Sequence, residues 1–260
     1  MPWTLSHPAA VLPLRRFTPR PFDLAALTIG SMTPDLGYYI ARFDLATFAH
    51  TLAGSFLACL PAGVVMLLVF YLFARPVCHT LPSPHREMLL SRCPTPPHRP
   101  GRWMSVLFSL LLGAWTHNFW DAFTHKEGWF VARLPFLQRE IFAIGSAGVP
   151  IFLILQEVST VFGFVILLAA YRSWLRQHRP LPLSTAADES KRYLFWAILA
   201  SVSLLVSLPA ALFYAASNSL NGLFFVRSVA FRTAMYLPLV ALPLLLLGAA
   251  WFYFQRPERP

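Results

Sequence analysis

Charged residues are scarce in this sequence. Only 12% of its 260 residues are Asp, Glu, Lys or Arg, and 57% are hydrophobic, whereas a soluble domain carries roughly a quarter charged residues. This composition argues against a soluble globular enzyme. Acidic residues are the scarcer sign, with 11 Asp and Glu against 21 Lys and Arg. Because the cations lie between long apolar stretches, we expect the anionic partner to be a phospholipid bilayer and not a nucleic acid.

Cysteine is also scarce, and its three positions are unevenly spaced. This excludes a disulfide framework and leaves the redox compartment open. The segment after the first apolar run holds several potential zinc donors, which are Cys78, His79, His85, Cys93 and His98. Its two cysteines lack the spacing of about two to four residues that zinc knuckles use. We therefore expect no zinc site in that segment.

Long apolar runs take the place of the missing charges. Between Asp44 and Arg75 lie 30 residues without Asp, Glu, Lys or Arg, more than the roughly 20 that cross a bilayer core as a helix. Further runs of spanning length follow. The sequence therefore predicts an all-α, polytopic membrane protein with about five transmembrane helices. We place them at about 52–74, 103–123, 147–171, 193–214 and 234–254.

The segment before the first span is expected to fold back onto the membrane domain. Residues 1–51 are interrupted by prolines, which excludes a cleavable signal peptide, and they contain one short predicted helix at Phe22–Ile29. Residues 52–254 form the predicted five-helix transmembrane domain. The loop 76–100 holds seven prolines and is expected to be irregular. Twelve cations lie on the side opposite the N-terminus and nine on its own side, which favours an extracytoplasmic N-terminus.

Polar residues recur every fourth position at the end of the second predicted span. They are His117, Asp121 and His125, and this spacing places them on one stripe of a helix. Ionisable groups in or near a span usually face a polar cavity, a partner or an ion. Two imidazoles and a carboxylate suit zinc, manganese or iron. Since His117 and His125 lie about 12 Å apart along a helix, either the helix ends before His125, or two of the three residues bind one ion while the third orients a ligand, acts in acid/base chemistry or binds a second ion. In both cases further ligands must come from elsewhere.

The N-terminal segment supplies further potential ligands. With five spans, His7, Asp35 and His50 lie on the membrane face at which the second span ends. We therefore expect the two groups to converge on one or two metal ions. The alternative is that Asp35, which follows Pro34, caps a helix or stabilises a turn, and that His117 and Asp121 form a hydrogen-bonded pair that only fixes helix packing.

Four ordered motifs also carry a resemblance to known proteins. They are Pro2–Ala10, Gly30–Asp35, His50-Thr51 and Thr116–His125. Together they resemble the bacterial membrane proteins of domain-of-unknown-function family 4184, over most of the chain up to about Gly163. The order of an early His, a Gly-Ser-x-x-Pro-Asp turn, a His before a span and His-x-x-x-Asp is more distantly similar to inner-membrane metal-dependent hydrolases related to zinc-dependent phospholipase C.

The hydrolase resemblance implies ligand or catalytic roles for the matching residues. The predicted metal ligands are His7, Asp35, His50, His117 and Asp121. The expected cofactor is a divalent metal, with zinc preferred. His125 and Glu157 are the predicted catalytic residues, although Glu157, an intramembrane carboxylate, has the alternative of pairing with a histidine or staying protonated.

The function predicted from these residues is hydrolysis of a lipid-linked or membrane-proximal ester or phosphoester. The expected location is the inner (cytoplasmic) membrane, crossed several times. Two other classes of function stay open. A transporter would use the second span and Glu157 as a proton or cation relay, and a non-catalytic scaffold would need the polar residues only for packing.

Overall fold

The computed structural model describes residues 3–17, 22–144, 147–177 and 186–255. Helices dominate these residues, and one short hairpin interrupts them. In chain order the helices and strands are α1 (Pro8–Phe17), α2 (Leu24–Gly30), α3 (Leu36–Tyr39), α4 (Phe43–Ala49), α5 (Leu52–Gly54), α6 (Leu60–Thr80), α7 (His85–Leu90), α8 (Pro100–Thr124), α9 (Trp129–Arg133), α10 (Pro135–Gln138), β1 (Glu140–Ile144), β2 (Ala147–Pro150), α11 (Ile151–Gln177), α12 (Ala186–Ser217) and α13 (Gly222–Phe254). Short 3₁₀ turns cover Thr4–Ser6 and Thr33–Asp35, and a π-helical turn at Ser55–Cys59 joins α5 to α6.

The all-α membrane fold is confirmed. Within the described residues, four helical stretches are long and apolar enough to cross a membrane. They are Leu52–Thr80, Ile151–Gln177, Glu189–Ser217 and Gly222–Phe254. The predicted span at 103–123 corresponds to α8, which is not one of these four and which carries His117 and Asp121 in its C-terminal half.

Several boundaries differ from the sequence-based expectation. The third predicted span begins only at Ile151, because Glu140–Ile144 and Ala147–Pro150 form the antiparallel strands β1 and β2. The expected irregular loop 76–100 contains the end of α6 and all of α7. The N-terminal segment holds more helix than expected: besides α2, which matches the predicted helix, α1, α3 and α4 lie between residues 8 and 49. Pro8 starts α1 at a position where a helix needs no amide donor.

One compact unit comprises Met1–Leu68 and Pro97–Tyr171. In it, α2 packs closely against α8, because a side chain at Gly30 or Gly113 would meet backbone of the other helix within 2.3 Å. The Ser109 hydroxyl of α8 accepts a hydrogen bond from the backbone N–H of Asp23, the residue that caps α2. At the start of the chain, the backbone N–H of Trp3 donates to the hydroxyl of Thr160 on α11. These contacts hold the N-terminal segment against two long helices.

The second unit comprises Val69–Pro96 and Arg172–Pro260. In it, α12 packs along α13. The start of α12 holds the end of α6 and the turn after it. The Glu189 carboxylate accepts hydrogen bonds from the Ser83 backbone N–H and from Arg86, and the Trp196 indole donates to the Thr80 carbonyl.

Candidate metal centre

The C-terminal end of α8 provides three polar side chains. His117 and Asp121 lie one turn apart and both are buried. An Asp121 carboxylate oxygen, Oδ2, lies 3.2 Å from His117 Nε2 and 3.4 Å from His125 Nδ1. The helix ends at Thr124, so His125 is the capping residue with extended backbone and is not on a further helical turn. From this capping position the His125 side chain contacts the Asp121 carboxylate.

Asp35 enters the same place from the N-terminal segment. It ends the 3₁₀ turn Thr33–Asp35 that follows α2, and its side chain is fully buried. Its Oδ1 atom lies 3.5 Å from His117 Nε2. Its other oxygen, Oδ2, accepts a 2.6 Å hydrogen bond from the hydroxyl of Thr4. Asp35 is thus held from one side and faces the histidines with its free oxygen. No side-chain capping bond is made at the start of α3, where Asp35 is the N-cap residue.

His50 closes the arrangement from the end of α4. Its Nε2 atom lies 3.3 Å from Asp121 Oδ2 and 3.8 Å from Asp35 Oδ1. The His50 side chain is 21% exposed and that of His125 is 26% exposed, whereas those of His117, Asp35 and Asp121 are almost completely buried. The open side of the cluster is therefore formed by His50 and His125.

His7 packs against the ring of His117. Its ring stacks on that of His117, with ring centres 3.6 Å apart, and its Nε2 atom lies 3.6 Å from Asp121 Oδ1. Burial, together with the neighbouring His117, lowers the pKa of His7 to about 3, against the raising effect of Asp121 and Asp35. His7 is consequently a neutral ring at pH 7. Burial also lowers the pKa of His125.

The hydrogen bonds of the histidines define which ring nitrogen faces the carboxylates. Nδ1 of His117 lies 2.8 Å from the carbonyl oxygen of Ser31, and Nδ1 of His50 lies 2.7 Å from that of Ala46. A carbonyl oxygen only accepts, so both Nδ1 atoms carry the hydrogen. In the neutral rings each Nε2 therefore directs a lone pair at carboxylate oxygens. Backbone carbonyls orient metal-binding histidines in this way in many proteins.

The distances fit a single small cation. Four residues, Asp35, His50, His117 and Asp121, each offer one ligand atom, and these atoms lie within 4.8 Å of one another. In a tetrahedral site with metal–ligand distances of about 2.0–2.1 Å, neighbouring ligand atoms lie about 3.3 Å apart. The carboxylate-to-imidazole distances in the cluster run from 3.2 to 3.8 Å. Asp35 Oδ1, His117 Nε2 and Asp121 Oδ1 are buried without a hydrogen-bond partner. A buried Asp/His cluster that can hold a metal ion is therefore present.

The predicted site residues take different places. Four of the five predicted ligands form the cluster, and the fifth, His7, lies beside it. His125, which was predicted to be catalytic, contacts Asp121. Glu157 lies on α11 with an exposed side chain, whereas the neighbouring Gln156 is buried. The roles themselves stay predictions.

Sequence reasoning missed the groups that orient the ligands. Thr4 donates its hydroxyl hydrogen to Asp35. Its place in the first motif, three residues before His7, is the one sequence signal for such a partner. The carbonyl groups of Ser31 and Ala46 belong to the backbone, and no side-chain pattern in a sequence reveals such acceptors.

One protein family matches nearly the whole chain. The sequence profile of one protein family, described as a domain of unknown function (DUF4184), matches residues 1–244. The chain belongs to this family. The DUF4184 match includes the four cluster residues and their neighbours His7 and His125. It also includes all four apolar helices except the end of the last. No curated protein and no solved structure matches the chain. The more distant resemblance to metal-dependent hydrolases stays a prediction.

Proposed function

We propose that this membrane protein is a metal-dependent hydrolase that acts on a lipid-linked or membrane-proximal ester or phosphoester. The observation that carries the proposal is the convergence of two imidazole Nε2 atoms, from His50 and His117, on oxygens of Asp35 and Asp121 at distances of 3.2–3.8 Å. A carboxylate oxygen and the lone pair of a neutral imidazole repel each other at this distance unless a cation or a proton lies between them. Helix packing alone does not require such an arrangement.

The four cluster residues would hold the ion, and zinc suits this donor set of two imidazoles and two carboxylates. When bound, a divalent ion supplies a Lewis acid that polarises the scissile bond and lowers the pKa of an attacking water. The protein's own part is orientation. Thr4 fixes the Asp35 carboxylate, and the Ser31 and Ala46 carbonyls fix the two imidazoles.

His125 is the residue that we assign to proton transfer. Its Nδ1 atom faces Asp121, which holds the ring, while its Nε2 atom is buried and has no hydrogen-bond partner. With His50, it forms the partly exposed side of the cluster, where a substrate would approach. A group that delivers or takes a proton must lie within hydrogen-bond reach of the reacting atoms. We prefer His125 to Glu157 for this role because His125 contacts the cluster through Asp121, whereas the Glu157 side chain is exposed on α11.

Metal analysis of the detergent-purified chain tests this proposal. We expect a stoichiometric divalent metal in the wild type and its loss in His117→Ala and Asp121→Asn. A matched control, His98→Ala, removes an exposed histidine outside the cluster and should keep the metal. With metal bound, the wild type should hydrolyse a chromogenic ester or phosphoester in mixed micelles, and His125→Ala should keep the metal but lose most of the turnover. A folded wild type without stoichiometric metal would refute the metal centre, and bound metal without any hydrolysis would refute the enzyme.

A further inference from the structure

The connector between α8 and α11 is described at residues 126–144 and 147–150, and it exposes several large apolar side chains. Its two short helices bury one side each, through Val131 and Leu137, and Gln138 ties them together by donating a hydrogen bond to the Val131 carbonyl. Large apolar side chains are nevertheless exposed on the outer sides of these helices, between them and on β1. These are Trp129, Leu134, Phe136, Ile141, Phe142 and Ile144.

Strand β1 is exposed along its whole length, whereas Val149 of β2 is buried. Neighbouring side chains of a strand point to opposite faces of the sheet, yet Ile141 is 55% exposed and Phe142 is 51% exposed. A β-bulge lies between Glu140 and Phe142, but it buries neither side chain. In the described part of the chain, therefore, neither face of β1 is covered. Contiguous exposed apolar surface of this kind marks a contact with a membrane or a partner.

The position of the hairpin in the chain favours the membrane. Strand β2 ends at Pro150, and the apolar helix α11 begins at Ile151 without a linker. The sequence from Ile141 to Gln156 contains no charged residue. The hairpin is thus continuous with a membrane-crossing helix. Its two strands still have unpaired outer edges, which the hydrocarbon core does not tolerate. The layer that accepts both properties is the boundary between headgroups and acyl chains.

Cations and an aromatic ring next to the hairpin match that layer. The guanidinium of Arg133 lies over the ring of Trp129, 4.1 Å from its centre, and Lys126 and Arg139 are exposed. Tryptophan is enriched where membranes meet water, and lysine and arginine near a membrane surface are attracted by anionic lipid headgroups. We infer that residues 126–144 and 147–150 are seated in the headgroup layer of a phospholipid bilayer, with the two apolar strands inserted and the cations on anionic lipid phosphates.

This seating would hold the open side of the cluster at the membrane surface. His125 directly precedes the connector, so lipid headgroups would lie next to the partly exposed histidines. The inference concerns the connector and does not require that the cluster binds metal or hydrolyses anything. It can therefore fail or hold independently of the proposed function.

A fluorescent amino acid that is sensitive to its environment, introduced biosynthetically, provides the test. It replaces Phe142 in one chain and Glu127, an exposed charged residue of the same connector, in a matched control chain. Each full-length protein is reconstituted into vesicles of phosphatidylethanolamine and phosphatidylglycerol. Quenching is then measured with iodide in the water and with phospholipids that carry a nitroxide close to the headgroup.

We expect the probe at position 142 to be quenched by the nitroxide lipid and to be severalfold less sensitive to iodide than the probe at position 127. Equal iodide quenching at both positions, without lipid quenching, would overturn the inference and place the hairpin in water. Protection from iodide without lipid quenching, combined with energy transfer between labelled copies, would also overturn it, because a second copy of the chain would then cover the hairpin. Lipid quenching at both positions with equal protection from iodide would also overturn the inference, because the charged start of the connector would then lie as deep as the hairpin.

Discussion

Thr4 is the residue whose replacement tests the metal centre most selectively. Its hydroxyl donates a 2.6 Å hydrogen bond to Asp35 Oδ2, and both side chains are buried. Thr4→Val keeps the shape of the side chain but removes the donor. The Asp35 carboxylate would then lose the bond that turns its Oδ1 atom towards His117. We therefore predict a weaker metal site in a chain that still contains all four ligands.

The structure sets the size of this effect. A hydrogen bond to a charged group contributes about 1.5–3 kcal/mol, and a tenfold change in an equilibrium constant corresponds to about 1.4 kcal/mol. Loss of the bond from Thr4 is therefore expected to weaken metal binding by about 10- to 100-fold. Thr4→Ser keeps the hydroxyl and should retain most of the affinity.

Competition with a chromophoric zinc chelator measures this difference on the detergent-purified protein. Thr47→Val is a suitable control, because the Thr47 hydroxyl makes only an exposed hydrogen bond to the Phe43 carbonyl within α4. We expect normal affinity in the control, nearly normal affinity in Thr4→Ser and weak binding in Thr4→Val. If Thr4→Val bound zinc as tightly as the wild type while His117→Ala lost it, Asp35 would not be a ligand and the geometry assigned to the cluster would be wrong.

Two further predictions concern packing and thiol chemistry. A β-carbon at Gly113 would lie 2.3 Å from the Leu27 carbonyl oxygen. Gly113→Ala should therefore lower the thermal unfolding midpoint and destabilise the chain by about 1–3 kcal/mol. Gly101 has open space around it, so the control Gly101→Ala should not change the midpoint. The free thiols of Cys78 and Cys93 lie 3.6 Å apart, so copper phenanthroline should join them with a loss of two hydrogens by mass spectrometry; two free thiols after that treatment would contradict the described contact.

The membrane fold was predictable because it depends on a simple property, the length of uncharged apolar sequence. The hairpin was not predictable, because the length of an apolar run does not separate a strand from a helix. Residues 141–171 form one apolar run with Glu157 as its only charge, and such a run does not distinguish buried strand from helix. The change from strand to helix occurs at Pro150, which lacks the amide hydrogen that a ladder or a continuing helix would use.

The ligands of the cluster were predictable to the extent that spacing carries them. His117 and Asp121 are four residues apart on a helix, and Asp35 and His50 stand out as polar residues beside a span. Their orientation was not predictable, because it depends on tertiary contacts. Two carbonyl groups and the Thr4 hydroxyl select the nitrogen and the oxygen that face inward.

The low hydropathy of α8 relative to the other long helices follows from the same cluster. An isolated helix in lipid would leave His117 and Asp121 facing hydrocarbon, which is costly for ionisable groups. Instead, α2 lies against α8 at the backbone contact of Gly30 and Gly113, and α4 brings His50 onto the same face. The N-terminal segment thus covers the polar face of α8 and supplies Asp35 and His50 to the cluster. Site and segment therefore belong to one compact unit, in which the short helices cover the polar end of α8 and the polar end of α8 completes their cluster.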